Sequence, residues 1–335
     1  MLKTTENLNV YPYHKENFHE LVLGKSGCGK TWYITRWLEN YAKTMPILII
    51  DTSGSYTDIE LIRNNFDRKI KANINNPKAA ITPLIVNGTD IINHVTDALI
   101  VTFDVKSMMQ RRLLEKACTE LLRENRFISF LKLYEKIGKL GDEVDDTDCK
   151  KNIDFLLSKM FHLRNLNTLQ IIPGKLKHIN GGIYIWQLSD FSALISRQLA
   201  EFVLEIEWKN IQSGSKERTQ LILDEFQKLR LEHTAIEEML REGRKYGLGL
   251  TMSSQFIPSG KEATNALEQA ATCLYFQPND RQLITTAKKI ANQDYKSWIP
   301  ILKHLERGSC ILTGSYCLNH RSNISNRPII CKVDG

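Results

Sequence analysis

The stretch Gly24-Lys25-Ser26-Gly27-Cys28-Gly29-Lys30-Thr31 spells G-x-x-x-x-G-K-T and constrains the fold more than any other part of the chain. Leu21-Val22-Leu23 just before it is a short apolar run of the kind a buried parallel strand shows. Just after it, Tyr33, Ile34, Trp37, Leu38 and Tyr41 recur at helical spacing. Strand, glycine loop and helix together form the context of a phosphate-binding loop. The glycines let the backbone turn so that the N–H groups from Gly24 through Ser26, Gly27, Cys28 and Gly29 point inward at a polyphosphate. Lys30 is expected against the β- and γ-phosphates and Thr31 on Mg²⁺, with the helix N-terminus adding partial positive charge.

The remaining composition narrows the class. The chain has 335 residues, 42% hydrophobic and 25% charged, which suits a globular protein. No apolar run reaches the roughly 18–20 residues that cross a bilayer, and the polar start lacks a signal-peptide core, so a cytoplasmic protein is expected. Seven cysteines are scattered without a C-x-x-C pair, and the histidines show no metal-ligand spacing. Cys28 is expected to act as a small filler residue. The net charge of +7 favours contact with a polyanion, though only moderately.

Along the chain, Pro46-Ile47-Leu48-Ile49-Ile50-Asp51 reads as a second buried strand ending in a carboxylate. Asp51 either faces a ligand crevice at the carboxyl ends of the strands or caps the turn Thr52-Ser53-Gly54-Ser55. Residues 57–105 read as small strands and loops, with Leu99-Ile100-Val101-Thr102-Phe103 the clearest strand. A helical block is expected over about 106–180 within one 335-residue unit. The acidic run from Asp142 to Asp148 lies between two of its helices, as a solvated loop or a metal site. Ile183 to Leu188 returns to the sheet, and Ser189 or Asp190 caps a long helix with Phe191, Leu194, Ile195 and Phe202 inward.

A second chemical site is Leu221-Ile222-Leu223-Asp224-Glu225, where an acid pair follows a buried strand. Asp224 can hold Mg²⁺ through its waters, and Glu225 can accept a proton from an attacking water. Ile236, Met239, Leu240 and Tyr246 mark a helix stopped by Gly247. Its other face carries Arg241 and Arg244, which either pair with nearby glutamates or reach a neighbouring subunit's γ-phosphate. Leu248 to Ser254 is a strand, and Gln255 at its end can hydrogen-bond the γ-phosphate or the water. Strands at Thr272–Phe276, 310–312 and 329–331 follow, the last two joined by a loop holding His320, Arg321 and Arg327.

This order of parts resembles the HerA–FtsK group of P-loop ATPases, and its HerA-like members most closely. The resemblance rests on the P-loop at 24–31, Asp51 to Tyr56, Gln110-Arg111-Arg112-Leu113-Leu114, Ile183 to Ser189, and the acid pair. Leu240-Arg241-Glu242-Gly243-Arg244-Lys245-Tyr246-Gly247, Gln255, Pro278-Asn279-Asp280 and Leu305 to Gly308 complete it. It implies an α/β, RecA-like, mostly parallel sheet flanked by helices, with an all-helical insertion. It also implies a hexameric ring with ATP and Mg²⁺ between subunits, driving movement of duplex DNA through the pore. Arg241 or Arg244 acts in trans on that reading, and Gln255 is the sensor. Two other settings fit the same parts: a conjugation or virion-packaging motor anchored by a partner, and an ATP-binding scaffold ring organising an effector nuclease. Two departures stand out. Only about twenty residues precede the first expected strand, so the N-terminal β-barrel of HerA-like proteins is expected to be missing. Ser55 stands where the family's D-P-H-G-E-Y stretch has glutamate.

Overall fold

Apolar runs from the middle of the chain pair as parallel strands buried on both faces, and the two chain ends add antiparallel strands beside them. The computed structural model describes residues 2–12, 17–56, 81–88, 90–166, 168–175, 182–214, 218–257, 265–319 and 324–334. In chain order these form β1 (Leu2–Thr4), β2 (Asn9–Pro12), β3 (Glu20–Leu23), α1 (Lys30–Tyr41), β4 (Ile47–Asp51) and β5 (Thr82–Val86). Helices α2 (Ile91–Phe103), α3 (Met108–Asn125), α4 (Phe130–Asp142) and α5 (Thr147–Met160) follow. Next come β6 (Leu169–Pro173), β7 (Ile183–Gln187), α6 (Ala193–Ser213), β8 (Thr219–Leu223), α7 (Ala235–Glu242), β9 (Leu248–Ser254) and β10 (Thr272–Phe276). The chain closes with α8 (Leu283–Ile290), α9 (Tyr295–Lys303), β11 (Ser309–Gly314), β12 (Tyr316–Leu318), β13 (Ile324–Ser325) and β14 (Ile329–Val333).

The main sheet has twelve strands in the order β13-β12-β2-β1-β14-β11-β10-β3-β9-β8-β4-β7. From β10 to β7 every pairing is parallel, and from β10 outward to β13 every pairing is antiparallel. The expected parallel arrangement therefore holds for the half that carries the site, and the sheet as a whole is mixed. Continuous burial along β3, β4, β7, β8 and β9 explains why those segments are apolar without alternation.

One face of the sheet is covered by α1 through Tyr33, Ile34, Trp37 and Leu38, which pack with Val22, Ile49, Ile222 and Leu274. The other is covered by α6 and the helical block, through residues such as Leu199, Phe202 and Val203 against Leu221, Leu223 and Leu250. Each such fully buried aliphatic side chain stabilises the fold by about 1.5–3 kcal/mol before entropy is counted.

Several expectations are corrected here. Residues 99–103 are not a strand but the last turns of α2. Val95, Ala98, Leu99, Thr102 and Phe103 are buried, at the i, i+3, i+4 spacing of one helix face. The block expected to be helical throughout over 106–180 contains β6, which pairs in parallel with β5 in a separate two-stranded sheet. Neither Ser189 nor Asp190 caps α6; Ser192 does, its hydroxyl accepting from the Ile195 amide, and Leu194 is exposed. Of the acidic run, Asp146 caps α5 by accepting from the Cys149 amide at 2.9 Å. Strands β1 and β2 precede the first expected strand, β3. The connection between β11 and β14 contains β12 and β13, and His320 and Arg321 in it lie outside the described residues. Most of the 57–105 segment read as short strands, residues 57–80 and 89, also lies outside them. Among the described residues no helix is long and apolar enough to cross a membrane.

Candidate nucleotide site

Strands β3, β9 and β8 lie side by side and parallel, so their carboxyl ends open on one edge. The P-loop leaves β3, Gln255 follows β9, and Asp224-Glu225 follow β8. Parallel strands sit about 4.8 Å apart, which places the acid pair within about 10 Å of the strand that carries the P-loop. Ligands of open α/β sheets bind at this edge.

The loop is built by its glycines. Gly29 precedes α1 with φ 114°, and a β-carbon there would lie 3.0 Å from the Gly308 α-carbon. The Gly308 amide donates to the Cys28 carbonyl at 2.9 Å, so the Leu305–Gly308 segment braces the loop from outside. The loop's other end is tied down by two backbone bonds. Gly24 N–H donates to the Ser254 carbonyl at 3.1 Å and Lys25 N–H to the Gln277 carbonyl at 2.8 Å, so the Gly24 amide is engaged by β9 and not, as expected, turned toward a phosphate. Cys28 is buried in the core under α1, and burial pushes its thiol up, consistent with a filler role. Lys30 is only 5% exposed. Its ammonium donates to the carbonyls of Gly24 at 2.8 Å and Lys25 at 3.2 Å, and among the described residues no carboxylate pairs with it. A buried cation offset only by carbonyls, beside the N-terminus of a helix, calls for an anion. This donor set fits the phosphates of a nucleotide.

Asp224, 3% exposed, stands at the end of β8. Ser53 Oγ donates to its Oδ2 at 3.0 Å, and Ser253 Oγ donates to its Oδ1. Burial pushes the Asp224 carboxyl above its ordinary range, and the two serine donors oppose that shift. A buried carboxylate oriented by two fixed donors, at the same sheet edge as the P-loop, is a fitting partner for Mg²⁺.

Asp51 settles into the second of its two expected roles. Its Oδ1 accepts from the amides of Ser53, Gly54 and Ser55 at 3.1, 2.8 and 3.2 Å, and its Oδ2 from Tyr56 at 3.2 Å. It builds the turn that presents Ser53 to Asp224. Ser55, in the family's glutamate position, bonds Ser53 at 2.7 Å. Ser53 and Ser253 were not singled out by sequence reasoning, since a serine at a strand end is too common a signal.

Glu225 has a left-handed backbone, φ 54° and ψ 43°, which costs a non-glycine residue about 1–3 kcal/mol. Gln255 Nε2 donates to its Oε2 at 2.9 Å and Gln227 Nε2 donates to the same oxygen. Two amides thus fix one carboxylate oxygen, and among the described residues no hydrogen bond holds the other. The structure therefore brings Lys30, Asp224, Glu225 and Gln255 to one edge.

It does not bring the arginines there. Arg241 ends α7 in an ion pair with Glu237 at 2.8 Å. Arg244 is exposed in the turn Gly243–Tyr246 that enters the amino end of β9. The seven residues of β9 separate that turn from Gln255, a distance of about 20 Å.

A P-loop on one parallel strand, with a clamped acid pair two strands away, defines the class of RecA-like P-loop ATPases. Solved structures agree on the fold. The chain is similar to VirB4 of Thermoanaerobacter pseudethanolicus, at 16% identity and TM-score 0.69 over 99% of this chain and 95% of that one. It is similar to the bacterial conjugative coupling protein TrwBdeltaN70, at 12% identity and TM-score 0.66 over 95% and 85%. Residues 9–206 match the family described as "Helicase HerA, central domain", and the chain belongs to that family. Among curated proteins it is 24% identical to "Probable helicase MJ1565" of Methanocaldococcus jannaschii. That alignment takes in 94% of this chain and 62% of the relative, so the chain spans less than two thirds of that protein's length.

Proposed function

We propose that this chain hydrolyses ATP as one subunit of a ring, and that the ring moves along duplex DNA.

 The observation that carries this reading is the clamped Glu225, held by Gln255 and Gln227 at the edge where the P-loop opens. Membership of the HerA family and the buried Lys30 support it.

In this reading the loop amides and Lys30 hold the β- and γ-phosphates, and Thr31 and Asp224 hold Mg²⁺. Bound there, Mg²⁺ neutralises charge on the phosphate oxygens. Glu225 takes a proton from the attacking water through its unclamped oxygen. Gln255 links that carboxylate to the end of β9, so a change at the γ-phosphate is passed to the strand that begins beside Arg244. About 20 Å separates that arginine from Gln255, so Arg241 or Arg244 reaches a nucleotide only across a subunit boundary. Arg244 is the better placed, since Arg241 is engaged with Glu237.

A ring concentrates the charge of +7 per chain around one pore, where phosphate contacts are insensitive to sequence and weaken with salt. The test is the steady-state ATPase rate with and without long duplex DNA. A many-fold rise, lost at high salt, is expected; a rate indifferent to DNA contradicts the translocase reading.

A further inference from the structure

The P-loop explains how phosphates are held but leaves the nucleoside without a partner. Helix α1 supplies a candidate in its first turn. Its amides at Lys30, Thr31 and Trp32 come ahead of the first intrahelical bond, from the Tyr33 amide to the Gly29 carbonyl at 3.0 Å. Trp32 is therefore the last residue of the phosphate-facing end, and its indole is 45% exposed. An exposed indole beside a phosphate loop offers a flat face on which a base can stack.

The direction of the phosphate chain decides which side the nucleoside leaves by. Its γ end faces Glu225, which stands two strands from β3 on the β9–β8 side. The nucleoside then leaves on the opposite side, toward the antiparallel half of the sheet. Trp32 is tied to that side through Arg36. Arg36, one helical turn on, has its guanidinium 4.3 Å from the centre of the Trp32 ring. Arg36 itself lines a cavity with Leu2, Val10 and Tyr11 of the antiparallel half. Its guanidinium is in turn fixed by Glu39 at 2.7 Å. One face of the indole is braced by a tethered cation, and the ring is still nearly half exposed.

We propose that Trp32 stacks on the nucleobase, with Arg36 bracing the ring from behind. This rests on the ATPase reading above and adds a subsite to it. Stacking accepts any base, so the site grips nucleotides without reading base identity through hydrogen bonds.

The test compares ATP with inorganic tripolyphosphate, both with Mg²⁺, by equilibrium binding to wild type, Trp32→Ala and Trp32→Phe. Trp32→Ala is expected to weaken ATP about tenfold, the scale of one base–aromatic stack, and to leave tripolyphosphate unchanged. Trp32→Phe keeps most of the ATP affinity. ATP also quenches tryptophan fluorescence in the wild type and not in Trp32→Phe. Equal losses for both ligands in Trp32→Ala, or no loss for ATP, overturn the stacking. If the wild type binds neither ligand, the nucleotide reading itself fails and the subsite falls with it.

Discussion

The side-chain amide of Gln255 donates to the carboxylate of Glu225 at 2.9 Å, joining the carboxyl ends of β9 and β8. A carboxylate that must take a proton from water works best in one fixed orientation. Gln255→Ala removes one of the two amides that fix it. The expected result is a fall in kcat of about tenfold, a fraction of what a general base contributes, with ATP affinity unchanged. Pre-steady-state rates beside a binding titration separate the two quantities.

Asp224 depends on serines from two other strands' ends. Ser253→Ala removes a donor that opposes the upward push of burial on the carboxyl. The variant's carboxylate then protonates more readily, so the acidic limb of its pH–rate profile moves to higher pH. The Mg²⁺ concentration for half-maximal activity rises about tenfold, as when a partner of a metal ligand is lost. A Mg²⁺ titration at two pH values measures both.

Glu205 offers a stability test away from the site. It is 8% exposed on α6 and accepts from the Ala235 amide at 2.6 Å, at the start of α7. Burial, with Glu238 and Glu201 nearby, pushes its carboxyl up to about 7, against Lys209 and the amide bond. A raised carboxyl favours folding fully below the unfolded pKa, and that contribution is lost as pH rises through about 7. Glu205→Gln stays neutral and can still accept from Ala235. It should stabilise the protein by up to about 3 kcal/mol at pH 8 and by almost nothing at pH 4. Denaturant unfolding of both proteins across that range checks the difference.

What the sequence made legible follows from where each signal sits. The P-loop and the ends of β8 and β9 are local patterns, a few residues long, and the strands that carry them lie where the apolar runs put them. Residues 99–103 misled because β-branched side chains suggest a strand, whereas here they finish a helix buried against α6. β1 and β2 were missed for the opposite reason. They are three and four residues long, with a partner strand at Ile329–Val333 and another at Tyr316–Leu318, so no nearby residue announces the pairing. The clamps on Asp224 and Glu225 were also out of reach. Ser53, Ser253 and Gln227 look ordinary until the turn built by Asp51 and the left-handed backbone of Glu225 bring them into range.

The central claim is that Glu225 activates water for a nucleotide gripped around Lys30. Its most direct test is a single-turnover measurement on Glu225→Gln, with ATP affinity determined on the same sample. The account predicts wild-type affinity with hydrolysis reduced by about 100-fold or more, the scale of a general base. Hydrolysis at the wild-type rate would contradict it.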